Sequence, residues 1–168
     1  MRTLLALAAP GILSIASYAS DQVWIVREDG VGPVKIGMTL SQLNDVLREH
    51  FVMPEKKEDQ GCFYVNPARH HQISFMIEDG RLSRVDVDAP GISTVKGVEV
   101  GDSEKRAATI YGNELKVEPS QYTGPEGHYL TLRSKSGLYG IRFETEHGKI
   151  TTYYAGRFES IQYVEGCQ

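Results

Sequence analysis

The sequence predicts an α+β fold: two tandem helix-plus-antiparallel-hairpin repeats forming one continuous antiparallel sheet, with the helices on one face. Three observations carry that expectation. Val34-Lys35-Ile36-Gly37-Met38-Thr39 aligns with Val98-Glu99-Val100-Gly101-Asp102-Ser103, 64 residues on. Residues 73–83 align without gaps on 141–151, 68 residues on, with Ile, Phe and Gly recurring identically and Arg/Lys, Leu/Ile and Ser/Thr in kind. Between them Phe63 falls opposite Tyr129 at an offset of 66. Three blocks in one order with so little drift mark an internal duplication.

Residues 1–20 read as a signal peptide. Arg2 supplies a positive start, residues 4–15 are mostly apolar, and Ser17-Tyr18-Ala19 fits a small-x-small cleavage site, so cleavage is expected after Ala19 or Ser20. An apolar run of about 12 residues falls short of the roughly 20 that span a bilayer. No Cys lies at the cleavage site to take a lipid, and no membrane-length apolar run follows. The expected location is therefore periplasmic or secreted, with no membrane insertion. Losing Arg2 takes the formal charge from −4 to −5. That balance argues against nucleic acid and anionic membranes as partners, since both are bound by clustered positive charge.

The first repeat, with an N-terminal strand, is placed at residues 21–91 and the second at 92–168, with Pro90-Gly91 and Ser93 marking the junction. Thr39 and Gln42 form a capping box, and Leu40, Leu43 and Leu47, with Val46 beside them, make one apolar stripe. In the second unit Ser103 caps, Ala107, Ile110 and Tyr111 supply the stripe, and Gly112 can close the helix. Asp79-Gly80 and His147-Gly148 mark hairpin turns between alternating residues. Ile73, Phe75 and Ile77 share one strand face, as do Ile141, Phe143 and Thr145. Leu82 is out of phase with Val85 and Val87, which a bulge or a three-residue turn would resolve. Further strands are expected at residues 62–65, 129–133 and 161–165. One sheet face is then covered by helices, and the other is left open to water and to a partner.

Cys62 and Cys167 are the only cysteines of an exported chain, and a disulfide between them is the natural pairing. It would close a loop of about 100 residues and tie the C-terminus to the middle of the chain. His50, His70, His71, His128 and His147 show no ligand spacing, so no metal and no cofactor is expected. No Gly-x-Ser-x-Gly elbow or phosphate-cradling loop is present, and Asp86 and Asp88 read as a solvated strand edge. No enzyme activity is expected.

The tyrosines are unevenly placed. Tyr111, Tyr122, Tyr129, Tyr139, Tyr153, Tyr154 and Tyr163 all fall in the second half. Tyr is enriched in recognition surfaces. Tyr122 sits in a Gly-, Pro-, Ser- and Thr-bearing loop, and Tyr153 and Tyr154 are strand neighbours, so at least one should face away from the core. The candidate binding set is Tyr122, His128, Tyr153, Tyr154, Arg142 and Arg157.

The Val-x-Ile-Gly-Met-Thr start, amphipathic helix and Asp-Gly hairpin, duplicated in an exported chain, resemble the tandem-repeat fold of the secreted β-lactamase inhibitor proteins. They are also similar to the single-repeat lipoprotein of the outer-membrane barrel-assembly machine, although this chain lacks the acylated Cys. The resemblance spans most of residues 31–166. It implies an antiparallel sheet backed by helices and protein binding through a concave face. The expected function is that of an exported non-catalytic protein-binding module, an inhibitor or envelope interaction protein with an unidentified protein partner. The alternative is a small-ligand or carbohydrate binder whose exposed tyrosines stack on the ligand.

Overall fold

A computed structural model describes residues 24–167, so the signal peptide expected over residues 1–20 lies outside the described residues. The chain is α+β and builds two sheets. Strands β1 (Ile25–Arg27), β2 (Gly30–Val31), β3 (Val34–Lys35) and β7 (Ser93–Thr94) form a small sheet in the order β3-β2-β1-β7. Only its β1–β7 pair is parallel. The large sheet has seven strands, all paired antiparallel, in the order β4-β5-β6-β11-β10-β9-β8. These are β4 (Cys62–Val65), β5 (Ile73–Glu78), β6 (Arg81–Val87), β8 (Leu115–Pro119), β9 (His128–Arg133), β10 (Tyr139–Glu146) and β11 (Lys149–Arg157). The halves join where β6 pairs with β11, with Val87 opposite Tyr153 and Asp86 opposite Tyr154. The large sheet is thus continuous across both halves, but the four-stranded sheet is an addition to the single sheet expected.

Helices α1 (Leu40–Leu47) and α2 (Glu104–Tyr111) start where their caps dictate. Gln42 N donates to Thr39 Oγ1 at 3.3 Å and Thr39 N donates to Gln42 Oε1 at 2.9 Å, which completes the capping box. Arg106 N donates to Ser103 Oγ at 3.1 Å. Each helix buries one stripe, Leu43 in α1 and Ala107 with Tyr111 in α2, while Val46 stays 40% exposed.

The two long hairpins share a detail. In the first, the register shifts between Met76 and Ile77, leaving Ser83 as the extra residue of a bulge, and this brings Leu82 into the core. In the second it shifts between Glu144 and Thr145, leaving Thr151 extra. Ser83 Oγ donates to Met76 O at 3.1 Å and Thr151 Oγ1 to Glu144 O at 3.3 Å. The segment before each helix is tied to its hairpin in the same way. Gly37 N donates to Leu82 O at 2.7 Å, and Gly101 N to Ile150 O at 2.9 Å.

One face of the large sheet carries Ile73, Phe75, Val85, Val87, Leu130, Ile141, Phe143, Tyr153 and Ala155, packed in one cluster with both helices and with Val26, Val31 and Val34 of the small sheet. The other face is polar, and it is not simply open to water as expected. Residues 158–167 cross it. The strand expected at 161–165 is absent: a 3-10 turn forms at Ser160–Gln162, because the carbonyls of Ser160 and Tyr163 accept side-chain hydrogen bonds instead of joining a ladder.

Candidate functional site

The polar face is built by alternation. Residues 74 and 76 of β5, 84 and 86 of β6, 152 and 154 of β11, 142 and 144 of β10, and 129 and 131 of β9 lie in register on the side opposite the core. At its centre is Arg84, whose residue is only 1% exposed. Its Nε and Nη2 donate to the two oxygens of Asp86 at 2.7 and 2.8 Å, the two-pronged geometry of an ionised pair. Nη2 also donates to Tyr64 Oη at 2.7 Å, and Tyr64 donates to Asp86 Oδ2 at 3.1 Å. Nη1 holds the tail, donating to Ser160 O at 3.0 Å and Tyr163 O at 2.6 Å. The guanidinium lies 4.2 Å from the Tyr154 ring centroid, a cation–π contact.

Burial raises the Asp86 carboxyl above the ordinary carboxylate value against the pull of Arg84, and pushes the Tyr64 hydroxyl up to about 12 with the help of Asp86. Asp86 is therefore no solvated edge, as the sequence suggested, but half of a covered pair. Glu144 is raised chiefly by burial, and its Oε1 has no hydrogen-bond partner among the described residues.

Further clamps fix the tail. Cys62 and Cys167 are joined by the expected disulfide. Arg142 donates to the side chain and backbone carbonyl of Gln162, and Ser160 donates to Glu78 Oε2 at 2.6 Å. Ile161, fully buried, rests on strand β10, where a Cβ on Gly140 would stand 2.7 Å from Ile161 Cδ1. The same Cβ would stand 2.5 Å from the Leu132 carbonyl of the neighbouring strand, so glycine at 140 serves the strand pairing as well as the tail. Gly166 passes so close to the Tyr64 hydroxyl that a Cβ there would collide with it. The loop over residues 119–127 leans onto the tail, with the Tyr122 hydroxyl donating to Glu165 Oε1 at 3.0 Å.

The six residues proposed from sequence do not form one site. Tyr122 is exposed at the tail, as expected. Tyr153 is buried against Phe143 on the helix face, where its hydroxyl donates to Ile92 O at 2.9 Å. Tyr154 does face away from the core, yet it is buried too, beneath the tail and Arg84. Burial raises both hydroxyls. Neither is an exposed contact residue, because the tail closes the second face. Arg142 is likewise buried, donating to Thr131 Oγ1 at 3.0 Å and lying 4.8 Å from the Tyr129 ring centroid. His128 is half-buried on the helix side, its Nδ1 3.1 Å from Glu104 Oε2. Arg157 is exposed and lines a separate cleft.

The structure adds Tyr64 and Tyr163 to Tyr122. These three are 36%, 45% and 63% exposed, and they surround residues 163–166. A tyrosine within the tail and a lone tyrosine on an edge strand carried no sequence signal linking them. The interior glycines of β10 and β11 did hint at a close backbone approach. Among the described residues no group of three or more His, Cys, Asp or Glu side chains is placed to hold a metal, and no helix is long and apolar enough to cross a membrane. Comparison with protein-family models, curated proteins and solved structures found no match.

Proposed function

We propose that this chain is an exported, non-catalytic protein-binding module, acting in the periplasm or outside the cell, that grips its partner with tyrosines arrayed around a strapped C-terminal tail. The observation that carries this reading is the exposure of Tyr64, Tyr122 and Tyr163 around a segment held by a disulfide and by Arg84. Tyrosine gives large contact area for little lost entropy. A segment already fixed loses little more on binding. The matched bulges and helix tethers of the two hairpins support a duplicated unit. Burial of Tyr153 and Tyr154 removes two of the rings that stacking on a sugar would use.

The test is recovery of a stoichiometric protein partner from envelope extract, compared with a Tyr122→Ala/Tyr163→Ala variant. Each substitution should weaken affinity by about 1–2 kcal/mol with little change in melting temperature. Equal recovery by the variant, or repeated failure to recover any partner, overturns the reading.

A further inference from the structure

At the end of the large sheet where β6 and β10 begin and β9 and β11 finish, a cleft of about 410 Å³ opens. Three arginines line it: Arg81, Arg133 and Arg157. None of them enters an ion pair among the described residues, in a chain whose formal charge is −4. The one carboxylate on the lining is Glu159.

Two of the guanidinium groups are held in place by bonds that leave most of their donors unused. Arg81 Nη1 donates to Gly37 O at 2.9 Å. Arg133 Nε donates to Gly137 O at 3.0 Å, and its guanidinium lies 4.2 Å from the Phe158 ring centroid. Arg157 is held by its backbone in the β11 ladder, and its guanidinium makes no hydrogen bond among the described residues. Beside these charges the wall is apolar, with Phe158, Ile36 and Leu138, the last 66% exposed. Unpaired guanidinium forks match the two oxygens of a carboxylate or the oxygens of a phosphate. The cleft volume falls within the range of about 300–1,000 Å³ usual for small-ligand sites.

We infer that this cleft binds a small amphiphilic anion, with a carboxylate or phosphate head on the three arginines and a short apolar body against Leu138 and Phe158. The site is separate from the tyrosine surface and does not depend on it. The head could belong to a free organic acid or to a lipid at a membrane surface, and the experiment distinguishes the two.

Purified protein is titrated calorimetrically with octanoate and with octanamide, which keeps the chain and lacks the charge. Sedimentation with phosphatidylglycerol vesicles is compared with phosphatidylcholine vesicles. Octanoate should bind saturably, at least tenfold more tightly than octanamide. Arg157→Gln, which removes no internal bond, should weaken octanoate at least tenfold, and so should Leu138→Asp at the rim. Binding in solution without sedimentation assigns a free anion as ligand. Sedimentation that requires phosphatidylglycerol and falls in Arg157→Gln assigns a lipid head. The inference is overturned if octanoate and vesicles both fail to bind, if octanamide binds equally, or if Arg157→Gln leaves binding unchanged.

Discussion

Replacing Arg84 by Met keeps most of the buried volume and deletes the charge that holds the tail. The guanidinium makes five hydrogen bonds, to Asp86 twice, to Tyr64, and to the carbonyls of Ser160 and Tyr163. With it gone, Asp86, whose side chain is 15% exposed, becomes an uncompensated charge. Removing one partner of a buried pair costs about 3–5 kcal/mol. Each carbonyl left dry adds about 1–3 kcal/mol, less where the tail lifts enough to admit water. Against a domain stability of about 5–15 kcal/mol, the single variant should sit near the edge of folding. Arg84→Met/Asp86→Leu removes both charges, and should regain most of what the stranded carboxylate cost. Equilibrium urea unfolding at neutral pH, with the disulfide intact, gives both values. A loss below about 1 kcal/mol for the single variant, or a double variant no more stable than the single, would refute the argument that this pair and its tail bonds act as one unit.

Cys62→Ser opens a loop spanning a sequence separation of 105 residues, and urea unfolding should show a loss approaching the roughly 4.7 kcal/mol of the chain-entropy model. Native oxidised protein should take up no maleimide before reduction. Glu144 has a folded value raised above 4.5, so the folded chain keeps a proton that the unfolded chain has released. Its contribution is greatest below about pH 4.5 and is lost as pH rises through the raised value; Glu144→Gln should flatten that part of the stability–pH curve, and an unchanged slope counts against it. Phe75→Ala and Phe143→Ala, at matching and fully buried positions, should each cost about 3–5 kcal/mol in the same unfolding assay, and a negligible loss at either would misplace the core.

The parts of this fold that were legible in the sequence are those decided within a few residues. Thr39 with Gln42, Asp79 with Gly80, and the phase slip at Leu82 each specify a local bond or turn, and each has its counterpart in the structure. The strands of the small sheet are two or three residues long, too short to show alternation. Adjacency placed Tyr153 and Tyr154 on opposite faces correctly. What it could not reveal is that the second face is also covered, since residues 158–167 are held over it by side-chain bonds from Arg84 and by a disulfide, neither of which leaves a periodic pattern. Asp86 reads as a surface acid beside its strand neighbour Arg84 until the tail is seen over the pair, and the tail carbonyl that Arg84 holds, Ser160 O, lies 76 residues on.

Covering a charged sheet face opposes the usual economy of folding, because Arg84, Asp86, Arg142 and Glu144 would be better hydrated in the open. The tail brings little apolar area of its own to offset this, chiefly Ile161 over Gly140. Hydrogen bonds from Arg84 and Arg142 replace part of the lost water. The disulfide lowers the entropy of the unfolded chain, so that a modest set of contacts suffices to keep the segment down. Each of these devices acts on the same stretch that presents Tyr163 and borders Tyr64 and Tyr122. Fixing that stretch costs stability wherever a charge is desolvated, and what it produces is a fixed backbone beside three exposed tyrosines. On the proposed function, loosening the tail by reduction of the disulfide should therefore lower affinity for the recovered partner even where the sheet stays folded. Surface-plasmon measurements on oxidised and reduced protein, with near-ultraviolet circular dichroism to confirm a retained core, put this directly to the test. Equal affinities in the two forms would separate the tail from recognition altogether.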